Sequence, residues 1–185
     1  MERDGVAVDE QTLQAAQGGD RNALGVLLRA LQDSWFRMSL SLLGDPDLAH
    51  DATQETAIRF LRQLPGFRGD SQLRTWSLGI CLNVVREMRR VAHAHRSIAD
   101  GLEMAESADL APPPADSLAR AEAIQALRST LAALPDRQRE AVVLRFFEEM
   151  SVEQTAETMG CAPGTVKATV HQALRALRRK LERLV

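Results

Sequence analysis

Apolar residues recur at three- and four-residue intervals in nearly every periodic stretch of this 185-residue sequence. No stretch alternates apolar and polar residues in the manner of a half-buried β-strand. Because side chains three or four positions apart share one face of a helix, this pattern predicts an all-α protein. No segment has the apolar length of a membrane span or the charge order of a signal peptide. We therefore expect no membrane insertion and a cytoplasmic location.

Helix start and stop signals divide the first part of the chain. Gly44 is typical of a helix end, and Asp45-Pro46 is typical of the start of the next helix, which Pro65-Gly66 then interrupts. A further helix is expected after the turn that follows. The apolar side of the first of these two helices comprises Leu48, Ala52, Ala57, Phe60, Leu61 and Leu64. The apolar side of the second comprises Leu73, Trp76, Ile80, Val84, Met88 and Val91.

An acidic, proline-containing segment separates two helical parts of the chain. Residues 97–116 contain no basic side chain and no sustained apolar period, and they include Pro112-Pro113-Pro114. Such composition is typical of a flexible linker. We therefore predict two small helical domains, residues 1–96 and 117–185, joined by a flexible acidic linker. Basic side chains concentrate in 59–96 and 165–185, which predicts two separate cationic surfaces.

A helix-turn-helix pattern occupies the C-terminal part of the sequence. Ser151 and Gln154 have the spacing of a capping box, Gly160 is suited to end that helix, and Pro163 is suited to the first turn of the next. The second helix is long enough to lie in a DNA major groove. Its apolar stripe comprises Val166, Val170, Leu174, Leu177 and Leu181. The alternative is an antiparallel helical hairpin whose charged face is simply solvated.

The helix after "GFRGDSQLRTW" combines aromatic, basic and surplus apolar residues. Leu78, Leu82 and Val85 add apolar surface beyond the expected stripe, so another element should cover them. Aromatic and cationic groups together are typical of surfaces that hold single-stranded nucleic acid. The members of this group are Phe67, Arg74, Trp76, Asn83, Arg86, Arg89 and Arg90. The alternative is that the two aromatic rings belong to the core and the arginines are a solvated fringe, and for Trp76 taken alone this alternative is the more common case.

Two motif blocks resemble one protein family. "AHDATQETAIRFLRQLPGFRGDSQLRTW", with Asn83 after it, and "LPDRQREAVVLRFFEEMSVEQTAETMGCAPGTVKATVHQALRALRRKL" resemble regions 2 and 4 of the extracytoplasmic-function (ECF) group of bacterial sigma-70 initiation factors. The resemblance covers most of the chain from about Ala15. It implies a sigma region 2-like bundle, a linker and a sigma region 4-like helix-turn-helix domain.

The resemblance also implies roles for particular residues. A face for the β′ clamp of core RNA polymerase comprises Asp51, Gln54, Glu55, Ile58 and Arg62. A surface that captures bases of the −10 promoter element comprises Phe67, Arg68, Asp70, Ser71, Arg74, Thr75, Trp76, Asn83 and Arg86. A surface for the −35 element comprises Thr165, Lys167, Ala168, Thr169, His171, Gln172, Arg175 and Arg179. The implied partners are core polymerase through its β′ clamp and β flap, promoter DNA, and an anti-sigma factor, with the free chain a monomer.

The sequence departs from the family pattern in its predicted recognition helix. Family members commonly have serine, arginine and a further arginine where this chain has Ala168, Thr169 and Gln172. Ala168 or Thr169 could contact a thymine methyl group, and Gln172 could bond an adenine edge. The helix would then carry fewer phosphate contacts than is usual, with polymerase supplying most of the affinity.

Two other functions remain open at this stage, neither of them enzymatic. One is a helix-turn-helix transcription regulator that acts without core polymerase, and the other is a helical interaction module. The sequence has no glycine-rich phosphate loop and no HExxH motif, so we expect neither an enzyme nor a cofactor. His93 and His95 are two residues apart on a predicted helix and would point to different faces, which argues against a metal site. Cys81 and Cys161 lack the spacing of a disulfide framework or a zinc site.

Overall fold

A computed structural model describes residues 9–98 and 129–181 of the protein. Within these two ranges the chain is helical and contains no β-strand, which confirms the predicted all-α class. Residues 129–132 are also helical. The elements are α1 (Glu10–Gln17), α2 (Arg21–Leu43), α3 (Pro46–Gln63), a 3-10 turn (Leu64–Gly66), α4 (Leu73–Ile98), α5 (Asp136–Val142), a π-helical segment (Val143–Phe147), α6 (Val152–Met159) and α7 (Pro163–Leu181).

The predicted helix boundaries in the first part of the chain are confirmed. The C-cap of α2 is Gly44, whose left-handed backbone (φ 78°) suits a residue without Cβ. The carboxylate of Asp45 then accepts hydrogen bonds from the amides of Asp47 (2.8 Å) and Leu48 (3.0 Å) at the start of α3. Because both ends are capped, the turn between α2 and α3 is short and well defined.

The core of the first part forms around α2, which packs against α1, α3 and α4. Trp35 is fully buried, and its indole nitrogen donates a hydrogen bond to the Ser77 hydroxyl of α4 (3.1 Å). The expected apolar stripes are partly wrong, because Leu48, Leu61 and Val91 are 40%, 36% and 56% exposed. These three positions lie at the edges of their stripes, where a helix face turns away from its neighbours.

The surplus apolar side of α4 is covered by the second part of the chain. Leu78, Leu82 and Val85 are completely buried. They belong to a single apolar cluster that continues into Leu144 and Met150 beyond the predicted linker, and α4 packs directly against α6. The expectation that another element covers this surface is therefore confirmed. The two parts of the chain are docked against each other in this structure.

The predicted helix-turn-helix is confirmed as α6, a tight turn and α7. The amide of Gln154 donates to the Ser151 hydroxyl (3.1 Å), and the amide of Ser151 donates to the Gln154 side-chain oxygen (2.8 Å), which completes the capping box. Gly160 (φ 67°) then ends α6 in a left-handed conformation. The predicted stripe of α7 needs one correction, since Leu174 is 45% exposed whereas Ala173 is completely buried. The small alanine lets α7 approach α5 closely.

Glu149 has a left-handed backbone (φ 55°) although it is not glycine. This conformation costs a residue with a Cβ about 1–2 kcal/mol. We expect Glu149→Gly to raise the free energy of unfolding by up to about 1 kcal/mol, part of the relief being offset by the flexibility of glycine in the unfolded chain. Urea denaturation measures the change. Glu149→Ala removes the same exposed carboxylate but keeps the strain, so an equal gain in both variants would contradict this explanation.

The predicted linker lies mostly outside the described residues, since nothing between 99 and 128 is described. The domain boundaries at 96 and 117 therefore stay predictions. None of the described helices is long and apolar enough to cross a membrane.

Candidate nucleic-acid interface

An exposed face of α3 carries the residues predicted to bind polymerase. Asp51, Gln54, Ile58 and Arg62 are all exposed, and helical geometry brings them to one side. Ile58 is 45% exposed, and the exposed Leu48 lies on the same side three residues before Asp51. Sequence reasoning placed Leu48 in the core. In the structure this charged face therefore also contains exposed apolar side chains. Such apolar groups are more typical of a protein-binding surface than of a helix face that only contacts solvent.

The fifth residue of this set, Glu55, is half-buried and engaged within the chain. Its carboxylate accepts a hydrogen bond from Arg59 Nε at 2.7 Å. The two Nη atoms of Arg59 donate to the two carboxylate oxygens of Glu87 on α4, at 2.9 and 2.7 Å. The Arg59 guanidinium lowers the pKa of Glu87 below its usual value. The Arg59–Glu87 bridge fixes the orientation of α3 on α4. Because Glu55 binds the same arginine, it helps to hold the exposed face of α3 in place and also lies at the edge of that face.

The loop of Phe67–Ser71, which we call the −10 loop, follows the 3-10 turn and precedes α4. Arg68 and Asp70 are exposed, and Gly69 has a positive φ of 79° that allows the loop to reverse. The Phe67 ring lies 4.8 Å from the Trp76 ring, between centroids. Trp76 in turn lies 5.6 Å from Phe60 of the core. Contacts between tilted aromatic rings therefore connect the loop to the core.

The other residues predicted for the −10 surface differ in accessibility. Asn83 is exposed, whereas Ser71 and Trp76 are half-buried. Trp76 packs against the core and also contacts the loop. It is therefore both a core residue and part of the predicted −10 surface. Thr75 is only 3% exposed. In this arrangement its side chain is closed to direct contact with a base, so its predicted role at the −10 surface is not supported.

Two of the three arginines predicted for the −10 surface, Arg74 and Arg86, are paired with carboxylates from the second part of the chain. Arg74 donates to the carboxylate (2.5 Å) and to the carbonyl (2.9 Å) of Glu148. Arg86 donates to both carboxylate oxygens of Glu140, at 3.1 and 2.7 Å. Both glutamates are 2% exposed. Sequence reasoning missed these pairs because their members are 74 and 54 residues apart.

The two glutamates differ in their electrostatic environment, because Glu148 is desolvated whereas Glu140 is surrounded by arginines. Burial raises the pKa of Glu148, and its Oε1 atom has no hydrogen-bond partner. Glu140 lies at the centre of a basic cluster, because Arg89 and Arg137 also approach its carboxylate within 3.9 and 3.8 Å. A cleft of about 500 Å³ opens beside this cluster and includes Asn83 in its lining. The basic surface of α4 is thus largely neutralised by the second part of the chain.

The residues predicted for the −35 element lie on the outer side of α7. Thr165, Lys167, Ala168, His171, Gln172, Arg175 and Arg179 are exposed, and Thr169 is half-buried. The inner side of the same helix holds Val166 and Ala173, both completely buried. The structure therefore presents the predicted reading residues together on one accessible face.

Both cysteines are free thiols with different exposure. Cys81 is fully buried, contacts the Ser39 hydroxyl at 3.3 Å, and has its pKa raised to about 11 by burial. Because the thiolate is the reactive form, only roughly 0.1% of Cys81 is reactive at pH 8. We expect a thiol reagent to label Cys161 rapidly and Cys81 only after denaturation. Rapid labelling of two thiols in the native protein would contradict the burial of Cys81, and Cys161→Ser provides the control.

Within the described ranges, no three His, Cys, Asp or Glu side chains are grouped as around a metal ion. The side chains of His93 and His95 lie outside the described set.

Two family matches cover the two parts of the chain. Sigma-70 region 2 matches residues 27–95, and sigma-70, region 4 matches residues 124–177. The RNA polymerase sigma-H factor of Pseudomonas aeruginosa is 30% identical over 186 residues, which cover 96% of this chain and 95% of that protein. The ECF RNA polymerase sigma factor SigW of Bacillus subtilis is 25% identical over 183 residues, covering 95% of this chain and 97% of that protein.

Two solved structures are also similar to this chain. The sigma factor RpoE of Bartonella quintana, in complex with the anti-sigma factor NepR, has a TM-score of 0.70 and 28% identity, covering 82% of this chain and 91% of that one. CnrH in complex with the cytosolic domain of CnrY has a TM-score of 0.71 and 22% identity, covering 95% and 97%, which shows a shared fold.

A helical unit with an aromatic loop beside a basic helix, followed by a helix-turn-helix, is typical of two-part proteins of the nucleic-acid-binding class. The chain belongs to the sigma-70 family, in its ECF group, as the sequence motifs indicated. Its relatives are RNA polymerase sigma factors, which supports an initiation factor over a regulator that acts without polymerase.

Proposed function

We propose that this protein is the subunit that brings core RNA polymerase to promoters with −35 and −10 elements and assists strand separation there. The observation that carries the proposal is the presence, on one chain, of the exposed α3 face, the −10 loop and the exposed face of α7. The protein needs no catalysis of its own, because the polymerase forms the RNA. It would work in the cytoplasm, together with the polymerase.

The α3 face is the proposed contact for the β′ clamp. Its mixture of acidic groups and the exposed Ile58 and Leu48 suits a protein interface, where apolar area supplies affinity and charge supplies orientation. The second part of the chain would contact the β flap. These two contacts would hold the two DNA-binding surfaces at separate promoter elements.

The −10 loop and the basic side of α4 are the proposed site for single-stranded promoter DNA. Unstacking a base costs a few kcal/mol, and stacking plus cationic contacts can recover that amount. Arg74 and Arg86 are bound to Glu148 and Glu140 in this structure, so they can reach phosphates only after the second part of the chain has moved away. We infer that this docked arrangement is a resting state, and polymerase binding would separate the two parts.

The exposed face of α7 is the proposed reader of the −35 element. Lys167, Arg175 and Arg179 would contact phosphates, whereas Ala168, Thr169 and Gln172 would meet base edges. This division follows from side-chain chemistry, since the small and neutral residues cluster in the first half of the helix.

An anti-sigma factor is a further proposed partner. The support is that RpoE, which is similar to this chain over most of its length, was solved with the anti-sigma factor NepR. A protein that covered the α3 face would prevent polymerase binding directly.

A gel shift with duplex promoter DNA tests the proposal against the regulator alternative. We expect a specific complex only when core polymerase and this protein are both present. A tight, sequence-specific complex formed by the protein alone would instead favour the regulator. If no complex forms on any promoter fragment, with or without core polymerase, both functions are contradicted.

A further inference from the structure

Helix α1 holds the base of the −10 loop through the side chain of Gln17. Gln17, at the end of α1, directs its amide nitrogen at two backbone carbonyls on either side of the 3-10 turn. Nε2 donates to the carbonyl of Leu64 at 3.2 Å and to that of Phe67 at 2.7 Å. An amide NH₂ group carries two hydrogens, so it can serve both carbonyls at once. The turn is thereby fastened at both ends by a residue about 50 positions away.

The end of α1 is a firm point of attachment. The amide of Gly18 donates to the Gln14 carbonyl and that of Asp20 to the Ala15 carbonyl, both at 3.0 Å. Asp20 then caps α2 through the amide of Ala23 (2.8 Å). Gln17 therefore sits between two capped helix ends, on a segment that packs against the core through the buried Ala16. The backbone that carries Gln17 is therefore already held in place before the side chain bonds the turn.

The −10 loop begins at Phe67, so order at this end of the 3-10 turn determines how well the loop is held. Phe67 is both the residue whose carbonyl Gln17 holds and the residue whose ring lies against Trp76. Beyond it the loop is exposed at Arg68 and Asp70, and Gly69 has a left-handed backbone. Without the Gln17 contact, one end of this loop would be held only by the Phe67 ring and the Phe67–Leu64 backbone hydrogen bond.

We propose that Gln17 is a positioning residue for promoter opening, which fixes the backbone at Phe67 so that the −10 loop is pre-organised to receive unstacked bases. The inference rests on the proposed function of that loop. It assigns a role to α1, which lies before the residues that match sigma-70 region 2. Pre-organisation matters because a loop that must be ordered on binding spends part of the binding energy on that ordering.

The test compares Gln17→Met, which keeps the length of the side chain but removes the amide, with Gln14→Met as a control on the exposed side of α1. Amide hydrogen exchange should rise at residues 64–72 in Gln17→Met alone, with the global unfolding transition nearly unchanged. Association with core polymerase should equal that of the wild type. Initiation from a fully duplex promoter should fall about tenfold, the effect expected for losing one to two hydrogen bonds. Initiation from a template already unpaired over the −10 element should fall much less.

Several results would overturn the role of Gln17. These are unchanged exchange at residues 64–72, wild-type initiation from duplex DNA despite a loosened loop, an equal loss on both templates, or weakened core association. Gln17→Glu provides a second variant, because an ionised carboxylate cannot donate to the two carbonyls and should produce at least the same defect. A wild-type protein that fails to initiate on either template would refute the proposed function itself, and the exchange data would still report on the Gln17 contact.

Discussion

Replacing Asp51 by arginine is expected to abolish binding to core RNA polymerase while leaving the fold intact. Asp51 lies at the centre of the exposed α3 face, three residues from Leu48 and Gln54. A reversed charge in a complementary interface costs several kcal/mol, which corresponds to an affinity loss of about a hundredfold or more. The fold should tolerate the change, because an arginine at this position can pair with Glu55 one turn away. Co-purification with tagged core polymerase and circular dichroism measure the two effects.

The control for this experiment is Asp33→Arg, which makes the same charge reversal at an exposed position of α2. It should retain polymerase binding. Normal co-purification of the Asp51 variant would contradict the assignment of the α3 face, whatever the behaviour of the DNA-binding surfaces.

Glu140→Gln is expected to weaken the docking of the second part of the chain on the first, so that the two parts separate more often. Glu140 accepts two hydrogen bonds from Arg86 and lies within 4.0 Å of Arg89 and Arg137, so its removal leaves a cluster of arginines without their central counter-charge. Breaking a fully buried ion pair by removing one partner costs about 3–5 kcal/mol, and the cost here is reduced because Arg86 keeps partial exposure. The apolar contacts of Leu144 and Met150 with the α4 cluster remain, so the docked arrangement is weakened and not eliminated.

Small-angle X-ray scattering of the free protein measures this separation as an increased radius of gyration. The same variant should bind single-stranded −10 DNA at least about tenfold more tightly than the wild type, because Arg86 then becomes available for phosphate. Glu157→Gln, an exposed glutamate on α6, is the matched control and should change neither quantity. An unchanged radius together with unchanged DNA affinity would show that Glu140 does not restrain the resting arrangement.

The fold was predictable where a local signal decides the outcome. Gly44, Asp45, the Ser151 capping box and Gly160 each satisfy hydrogen-bonding groups within a few residues, so their positions alone located the helix ends. The apolar stripes were less reliable. Leu174 and Ala173 are adjacent, and only the approach of α5 determines which of them is enclosed.

The candidate site was predictable as a set of residues, and much less so as a set of contacts. The aromatic and basic composition of "GFRGDSQLRTW" pointed to the −10 loop, and the helix-turn-helix pattern placed the outer face of α7. The pairing of Arg74 with Glu148 and the hold of Gln17 on Phe67 depend on which elements meet in space. Glutamine and glutamate at isolated positions carry no periodic signal, so neither contact could be predicted from the sequence.

We propose that this polypeptide confers promoter-specific initiation on core RNA polymerase. Run-off transcription from genomic promoter fragments, with purified core enzyme and this protein added separately and together, measures it most directly. We expect discrete transcripts of defined length only in the combined reaction, with their start sites a fixed distance downstream of a −10 element. A core enzyme that yields the same products with and without this protein, on every template tried, would contradict the account.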